Sequence, residues 1–519
     1  MQRRTLVKLA AALPVATVLG GPLATAAEKI LRVNIVADPA MIDPITNSEL
    51  VAGVVMKPMY EGFITIDEKG QVVNALATGW TFSNDNKTIT FKLRPGVKFH
   101  GGRDFGAKDV KYTFQEVLRP GSRGGLVAPY LANLAGAKEF AAGSAQEVSG
   151  IRIVDPLTVE VTLVKPDVLF PIYPFQFMDS GIVAEKGADW MTKVSAGTGP
   201  YTFGRWQRGV DVTVKANPNY WGGAPKIDGI RFLIVPSGDT ALSMYEAGEL
   251  DVVDVPESSY RRVLSNPSYA QQLLKAPRAQ IRYLGMNQNV YPPFRDARVR
   301  EAISLAIDRA AMVKGLYDNA AIIMNGQVTP GVPGFGADLP ALKYDPDQAR
   351  KLLADAGFPG GKGMPPVKVT STAPFKDELT YYANQLNRVL GMQVEVNVVE
   401  RATHIKAMNA GEVAFFPWGW TADYPDAMTF LGDCYYSTSP YNRSRWKITD
   451  YDAVIDQSRS EADGEKRYQL YHRAEQILMK DWATAPLPIT TYIALRKPNV
   501  QGLVPTPFGW SSFQPVTMG

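Results

Sequence analysis

Apolar and polar positions alternate along "ILRVNIVADP" (30–39), which predicts a strand running into a loop that reaches Asp43-Pro44. "VAGVVMKPMYEGFITID" (51–67) reads as a short helix followed by a strand. "TITFKLRPGVKFHGG" (88–102) alternates as far as Pro95-Gly96, a strand and then a turn, and "LTVEVTLVKP" (157–166) is another strand. "GTGPYTFGRWQRGVDVTVKANPNYW" (197–221) has the form of a hairpin turning at Arg208-Gly209. Helical spacing governs "GAKDVKYTFQEVL" (106–118) and the first part of "DTALSMYEAGELDVVDV" (239–255), where Gly248 ends a helix before a strand. "DARVREAISLAIDRAAMVKGLY" (296–317) reads as one amphipathic helix. "DPDQARKLLADAGF" (345–358) is a helix opened by Asp-Pro and closed by Gly357. "DELTYYANQLNRVLGMQVEVNVVE" (377–400) repeats the helix–glycine–strand pattern at Gly391. A last long helix, "EKRYQLYHRAEQILMKDW" (465–482), precedes "APLPITTYIALRK" (485–497) as strand. Helices and strands alternate through both halves, so the expected fold is α/β with mixed sheets in more than one lobe.

The first residues change that picture. Arg3, Arg4 and Lys8 precede an apolar run from Leu9 to Leu19 and an Ala24-Thr25-Ala26 site. The run is too short to span a bilayer, and the layout is that of an export signal cleaved after Ala26. "RRTLVK" resembles the twin-arginine signal, which carries folded cargo. The only cysteine, Cys434, lies far from the cleavage site, so neither an internal disulfide nor a lipid anchor there is expected. The expected location is the periplasm, free in solution. About 490 residues would remain, too many for one core, so two or three domains follow. Lys and Arg number 55 against 51 acids, a near balance that argues against a nucleic-acid partner.

Catalytic constellations are missing. His100, His404 and His472 are scattered without zinc-site spacing, so no metal is expected. No G-x-S-x-G elbow appears. "GFPGGKGM" (357–364) lacks the spacing of a phosphate loop and reads as a turn after a helix. Cys434 has no evident activating partner. Binding therefore ranks above catalysis, and no cofactor is expected.

Several segments, taken in order, resemble one family. "YEGF" (60–63), "ALATGWTFSNDNKTITFKLRPGVKFHGG" (75–102), "FGAKDVKYTF" (105–114), "GTGPY" (197–201), "NPNYW" (217–221), "AGELDV" (247–252), "FRDARVREAISLAIDR" (294–309), "WTADYPDAMTFL" (420–431) and "LYHRAEQILMKD" (470–481) are similar to the bacterial extracellular solute-binding proteins of family 5, the peptide- and nickel-type receptors of ABC importers. The resemblance implies a two-lobed periplasmic binding protein-like (type II) fold with mixed sheets, a hinge, and an extra domain inserted in the first lobe. The first lobe is expected from 27–70, 196–285 and 490–519, the extra domain from 71–195, and the second lobe from 286–489. The implied partners are a short peptide or similar small ligand with an ammonium group, and an inner-membrane permease and ATPase complex. A monomer is expected.

The resemblance also assigns a site. In peptide-binding members an aspartate after W-x-x pairs with the peptide's α-ammonium, and Trp420-Thr421-Ala422-Asp423 matches, which gives Asp423 that role. A buried carboxylate needs a partner, and an ammonium brings three donors. Trp418, Trp420 and Thr421 are expected beside it, with Ser48, Leu50 and Tyr492 as further cleft contacts. Asp426 is expected to be a turn or cap residue. Pro417 stands where some oligopeptide receptors carry an arginine for the ligand carboxylate, so that carboxylate must be met elsewhere. Receptors for sugars, opines or nickel complexes share the fold and remain open as alternatives. A periplasmic hydrolase would need a nucleophile paired with His100 or His404.

Overall fold

The computed structural model describes residues 28–519 except 48, 123, 187–189, 192–193 and 337. The export signal read in residues 1–26 lies outside the described residues, and so does Ser48. Among the described residues no helix is long and apolar enough to cross a membrane.

Two sheets organise the chain. The first has seven strands in the order Leu273–Ala276, Tyr492–Arg496, Val252–Asp254, Ile30–Ile35, Gly229–Ile234, Asp211–Ala216 and Tyr201–Gln207. It is mixed: Ile30–Ile35 runs parallel to Gly229–Ile234, which is antiparallel to Asp211–Ala216. The hairpin turns at Arg208-Gly209 as its sequence predicts, with Gly209 at φ 71°. The second sheet has five strands in the order Val394–Val398, Val367–Ser371, Phe415–Thr421, Gln280–Met286 and Thr484–Pro486. The second sheet buries Met286, Val369, Val394 and Phe415 with helix residues Ala302 and Leu386, and the first sheet buries Val253 and Leu495 with helix residues Ala241, Leu242 and Tyr245, giving two lobes.

The chain passes between the lobes at two adjacent places. Leu273–Ala276 pairs in the first sheet, and after three residues Gln280–Met286 pairs in the second. "APLPITTYIALRK" does not form the one strand its pattern predicts. It divides into Thr484–Pro486 in the second sheet, Ile489–Thr490 against Ala321–Ile322, and Tyr492–Arg496 in the first sheet. Pro486 and Pro488 flank the change of partner, where a missing N–H ends a ladder. Gln280–Met286 thus belongs to the five-stranded sheet, although the expected boundary leaves residues up to 285 with the first lobe.

A four-stranded antiparallel sheet, in the order Ala77–Phe82, Thr88–Leu93, Thr158–Thr162 and Ile151–Asp155, occupies the segment between the first strands of the seven-stranded sheet. Phenylalanines attach it: Phe63 stacks on Phe91 with centroids 4.0 Å apart and meets Phe114, Phe175 and Phe177 edge-on. "GFPGGKGM" is a tight turn after the helix Pro346–Asp355, with Gly360 and Gly361 at positive φ.

The single helix expected over 296–317 is two. Ala297–Leu305 ends, and Arg309–Leu316 starts afresh. Asp308 leaves helical geometry and its carboxylate accepts from the N–H of Ala311 at 2.9 Å. Arg309, buried, fills the break by donating to the carbonyls of Ser304 at 2.9 Å and Pro486 at 2.7 Å. A local side-chain bond has outcompeted a continuous apolar stripe. Asp308→Ala is expected to destabilise the protein by about 1 kcal/mol in urea denaturation, and Asp308→Asn by much less, because asparagine keeps the capping oxygen. Equal losses in the two variants would contradict the cap.

Candidate functional site

The strand Phe415–Thr421 lies inside the five-stranded sheet, held by Gln280–Met286 on one side and Val367–Ser371 on the other. Its end carries Trp418, Trp420 and Thr421, and Asp423 follows two residues later. Thr429 fixes this end: its hydroxyl accepts from the indole N–H of Trp420 at 3.3 Å and from the N–H of Asp423 at 3.2 Å. Two cavities of about 430 Å³ each open beside it.

Trp420 and Asp423 line the first cavity, between the 71–195 segment and the second lobe. Tyr130 and Tyr173, from the 71–195 segment, stack at 4.3 Å, and Tyr424 meets them edge-on at 5.6 and 4.9 Å. Tyr441 closes on Trp420 at 4.6 Å. The phenol of Tyr130 donates to Oδ2 of Asp423 at 3.2 Å. That is a neutral donor. Among the described residues no lysine, arginine or histidine lies within ion-pairing distance of Asp423. Burial pushes its carboxyl up to about 6, and the Tyr130 bond only partly opposes the shift.

The same cavity holds a second strained set of charges. Asp433 accepts from the Tyr424 hydroxyl at 3.0 Å, and burial pushes its carboxyl up to about 7. Asp167 accepts from Tyr173 at 2.7 Å and from the N–H of Leu169 at 3.2 Å, and is also raised by burial. Arg459 stands 3.7 Å from each of these two acids, beyond hydrogen-bond reach of both.

Trp418 and Thr421 line the second cavity, with Gln280, Arg282, Glu378, Arg401, His404, Pro417, Thr490 and, from the first lobe, Glu257. Arg282 is committed to Glu378 at 2.6 Å and to the Tyr317 hydroxyl at 2.7 Å. Arg401 has no ion pair among the described residues. His404 is buried with neither ring nitrogen hydrogen-bonded, and burial lowers its basicity. Arg443, also buried, faces the rings of Trp418 and Tyr441 at 5.7 and 5.9 Å and donates to the Met408 carbonyl at 3.1 Å.

Two further expected contacts, Tyr492 and Leu50, line neither cavity. Tyr492 is buried, donates to Asp254 at 2.5 Å and meets Trp510 edge-on. Leu50 begins the helix Leu50–Met56 with its side chain in solvent. The loop after Asp43-Pro44 acts indirectly. Asp43 accepts from Ile45 N and the Thr46 hydroxyl, and the Asn47 carbonyl accepts from the N–H of Leu126, which lines the first cavity. Asp426 is internal: it accepts from Met428 N at 2.9 Å, a turn role of the kind its sequence suggests, and lies 3.9 Å from Arg467. Tyr130, Asp433 and Arg459 escaped the sequence reading. One signal was available: Asp433 is the only acid in the helix Met428–Tyr435, whose other residues are all buried.

His100 and Ser195 form a hydroxyl–imidazole contact at 2.7 Å, with the other ring nitrogen on the Gly199 carbonyl at 2.9 Å. Ser195 is buried and His100 half-buried, and neither lines the two cavities; burial pushes the imidazole down to about 4. Among the described residues no three His, Cys, Asp or Glu side chains group to hold a metal. Cys434 is buried.

Residues 71–442 match the family described as bacterial extracellular solute-binding proteins, family 5 middle, and the chain belongs to that family. It is 28% identical over 475 residues to the dipeptide-binding protein of Escherichia coli strain K12, covering 86% of each chain. It is 27% identical over 469 residues to heme-binding protein A of Haemophilus influenzae, covering 86% of this chain and 84% of that one. The unliganded open form of the periplasmic murein tripeptide binding protein MppA superposes with a TM-score of 0.80 at 27% identity, covering 95% of this chain and 98% of the other. Nearly equal identity to a dipeptide-binding and a heme-binding protein means that the ligand must be read from the cavity.

The Asp423 carboxyl has a pH signature. Its value rises on folding from 3.8 to about 6, so its favourable contribution is full below about 4 and is lost as pH rises through 6. Asp423→Asn removes that loss and keeps an acceptor for Tyr130. The unliganded variant is expected to gain about 1–3 kcal/mol over wild type between pH 4 and pH 8. Urea denaturation at the two pH values checks it; a difference independent of pH would contradict a desolvated, unpaired Asp423.

Proposed function

We propose that the chain is the periplasmic receptor of an ABC importer for short peptides, with the peptide's α-ammonium on Asp423. One observation carries the reading: Asp423 is half-buried, hydrogen-bonded to a neutral phenol, and without a cation among the described residues. An ammonium supplies the missing charge together with three donors. A sugar would leave the acid unpaired. The peptide then runs past Thr421 and Gly419 to the second cavity, where Arg401 and His404 have hydrogen-bonding capacity to meet the carboxylate in place of the arginine that Pro417 replaces. The matched relatives support a transport role rather than turnover, and the His100–Ser195 pair lines neither cavity. The partners are a permease and ATPase complex that receives the ligand from a monomeric receptor.

Removing one member of a buried charge pair costs roughly 2–5 kcal/mol. Asp423→Asn is therefore expected to weaken peptide binding by about thirty-fold to several thousand-fold. Acetylating the peptide's amino terminus is expected to weaken wild type comparably and the variant little. Titration calorimetry with both proteins and both peptides closes a double-mutant cycle, and equal losses on acetylation would refute the pairing.

Export by the twin-arginine route accounts for Arg3 and Arg4 before the short apolar run. Replacing both with lysine is expected to abolish the periplasmic pool in fractionated cells. An unchanged pool would reject that route.

A further inference from the structure

The first cavity contains more acid than one ammonium can answer. Among its described lining residues are four aspartates, Asp167, Asp423, Asp433 and Asp456, against two cations, Lys165 and Arg459. Arg459 is shared between Asp167 and Asp433. The acids are not equivalent. Asp167 accepts two hydrogen bonds within its own segment, and Asp456 is exposed and accepts from Tyr436 at 3.1 Å. Asp423 and Asp433 each accept one side-chain hydrogen bond, from a tyrosine, and both do so at Oδ2. Their Oδ1 atoms receive no hydrogen bond among the described residues, and Oδ1 of Asp433 has only Arg459, at 3.7 Å. Each of the two acids is also felt by its neighbours: the Asp423 charge contributes to raising Asp433.

Resting on the peptide reading above, we propose that the receptor selects peptides whose first residue carries a second positive charge, lysine or arginine, with the α-ammonium on Asp423 and the side-chain cation on Asp433. Five aromatic rings, Tyr130, Tyr173, Trp420, Tyr436 and Tyr441, line the same cavity and suit the apolar stem and charged head of such a side chain. A peptide with a neutral first residue leaves Asp433 with half of one guanidinium. A peptide with an acidic first residue adds a like charge to a site already short of cations, which disfavours it.

The test is titration calorimetry of the ligand-free protein with Lys-Ala-Ala, norleucine-Ala-Ala, Glu-Ala-Ala and Nα-acetyl-Lys-Ala-Ala. Norleucine matches the lysine stem without its charge. Lys-Ala-Ala is expected to bind at least tenfold more tightly than norleucine-Ala-Ala, and Glu-Ala-Ala more weakly than either. In Asp433→Asn, which keeps an acceptor for Tyr424, the lysine-to-norleucine ratio is expected to fall below about twofold whatever the overall affinity. The wild-type ratio needs no variant, so the proposal stays open to refutation if Asp433→Asn does not fold. Equal binding of the lysine and norleucine peptides, with the acetylated lysine peptide weaker than both, overturns the second charge and leaves the peptide reading intact. An unchanged ratio in a folded Asp433→Asn overturns the role of Asp433. Binding indifferent to acetylation, or no binding by any of the peptides, overturns the peptide reading itself. 1,5-Diaminopentane brings two ammonium groups without a peptide; binding as tight as Lys-Ala-Ala would overturn a peptide as their carrier.

Discussion

A carboxylate taken out of water demands a positive partner, and at the junction of the 71–195 segment with the second lobe this chain supplies too few. Asp423, Asp433 and Asp167 are all raised by burial, and among the described residues only the half-buried Arg459 stands near them, 3.7 Å from Asp167 and from Asp433. Each acid is held by a tyrosine hydroxyl, which satisfies a lone pair without neutralising a charge. The arrangement is costly when empty and favourable when a cation arrives, the balance that gives a binding site its selectivity.

Much of the surrounding structure keeps that balance in place. The strand Phe415–Thr421 is interior to its sheet, so the segment after it leaves from a rigid support. Thr429 joins Trp420 to Asp423 through one hydroxyl and keeps the aromatic wall and the acid in register. The tyrosines that complete the cavity come from a different segment, and they pack on Tyr424 from across the junction. A ligand touching both sides therefore has differential affinity for the arrangement in which the sides meet, which couples binding to the relative position of the segments. The two neighbouring chain crossings, after Ala276 and after Pro486, are where such movement is least obstructed by sheet hydrogen bonds.

The sequence by itself determined the elements whose signals are local. Alternation placed Ile30–Ile35 and Thr88–Leu93, glycines at Gly248 and Gly391 ended helices, and the ordered segments from 60 to 481 gave the family. Trp420 and Asp423 were singled out by the resemblance of the 420–423 segment to a family motif, and both line one cavity. Local signals failed where two of them competed. The apolar stripe over 296–317 ran through Asp308, whose capping bond broke the helix, and the β-rich run 485–497 gave no sign that its partners change from one sheet to the other. Only the tertiary structure decided who surrounds Asp423. Tyr130 is 293 residues away and Asp433 looks like one acid in an apolar helix; whether a charge is paired depends on distances through space, which no spacing along the chain encodes.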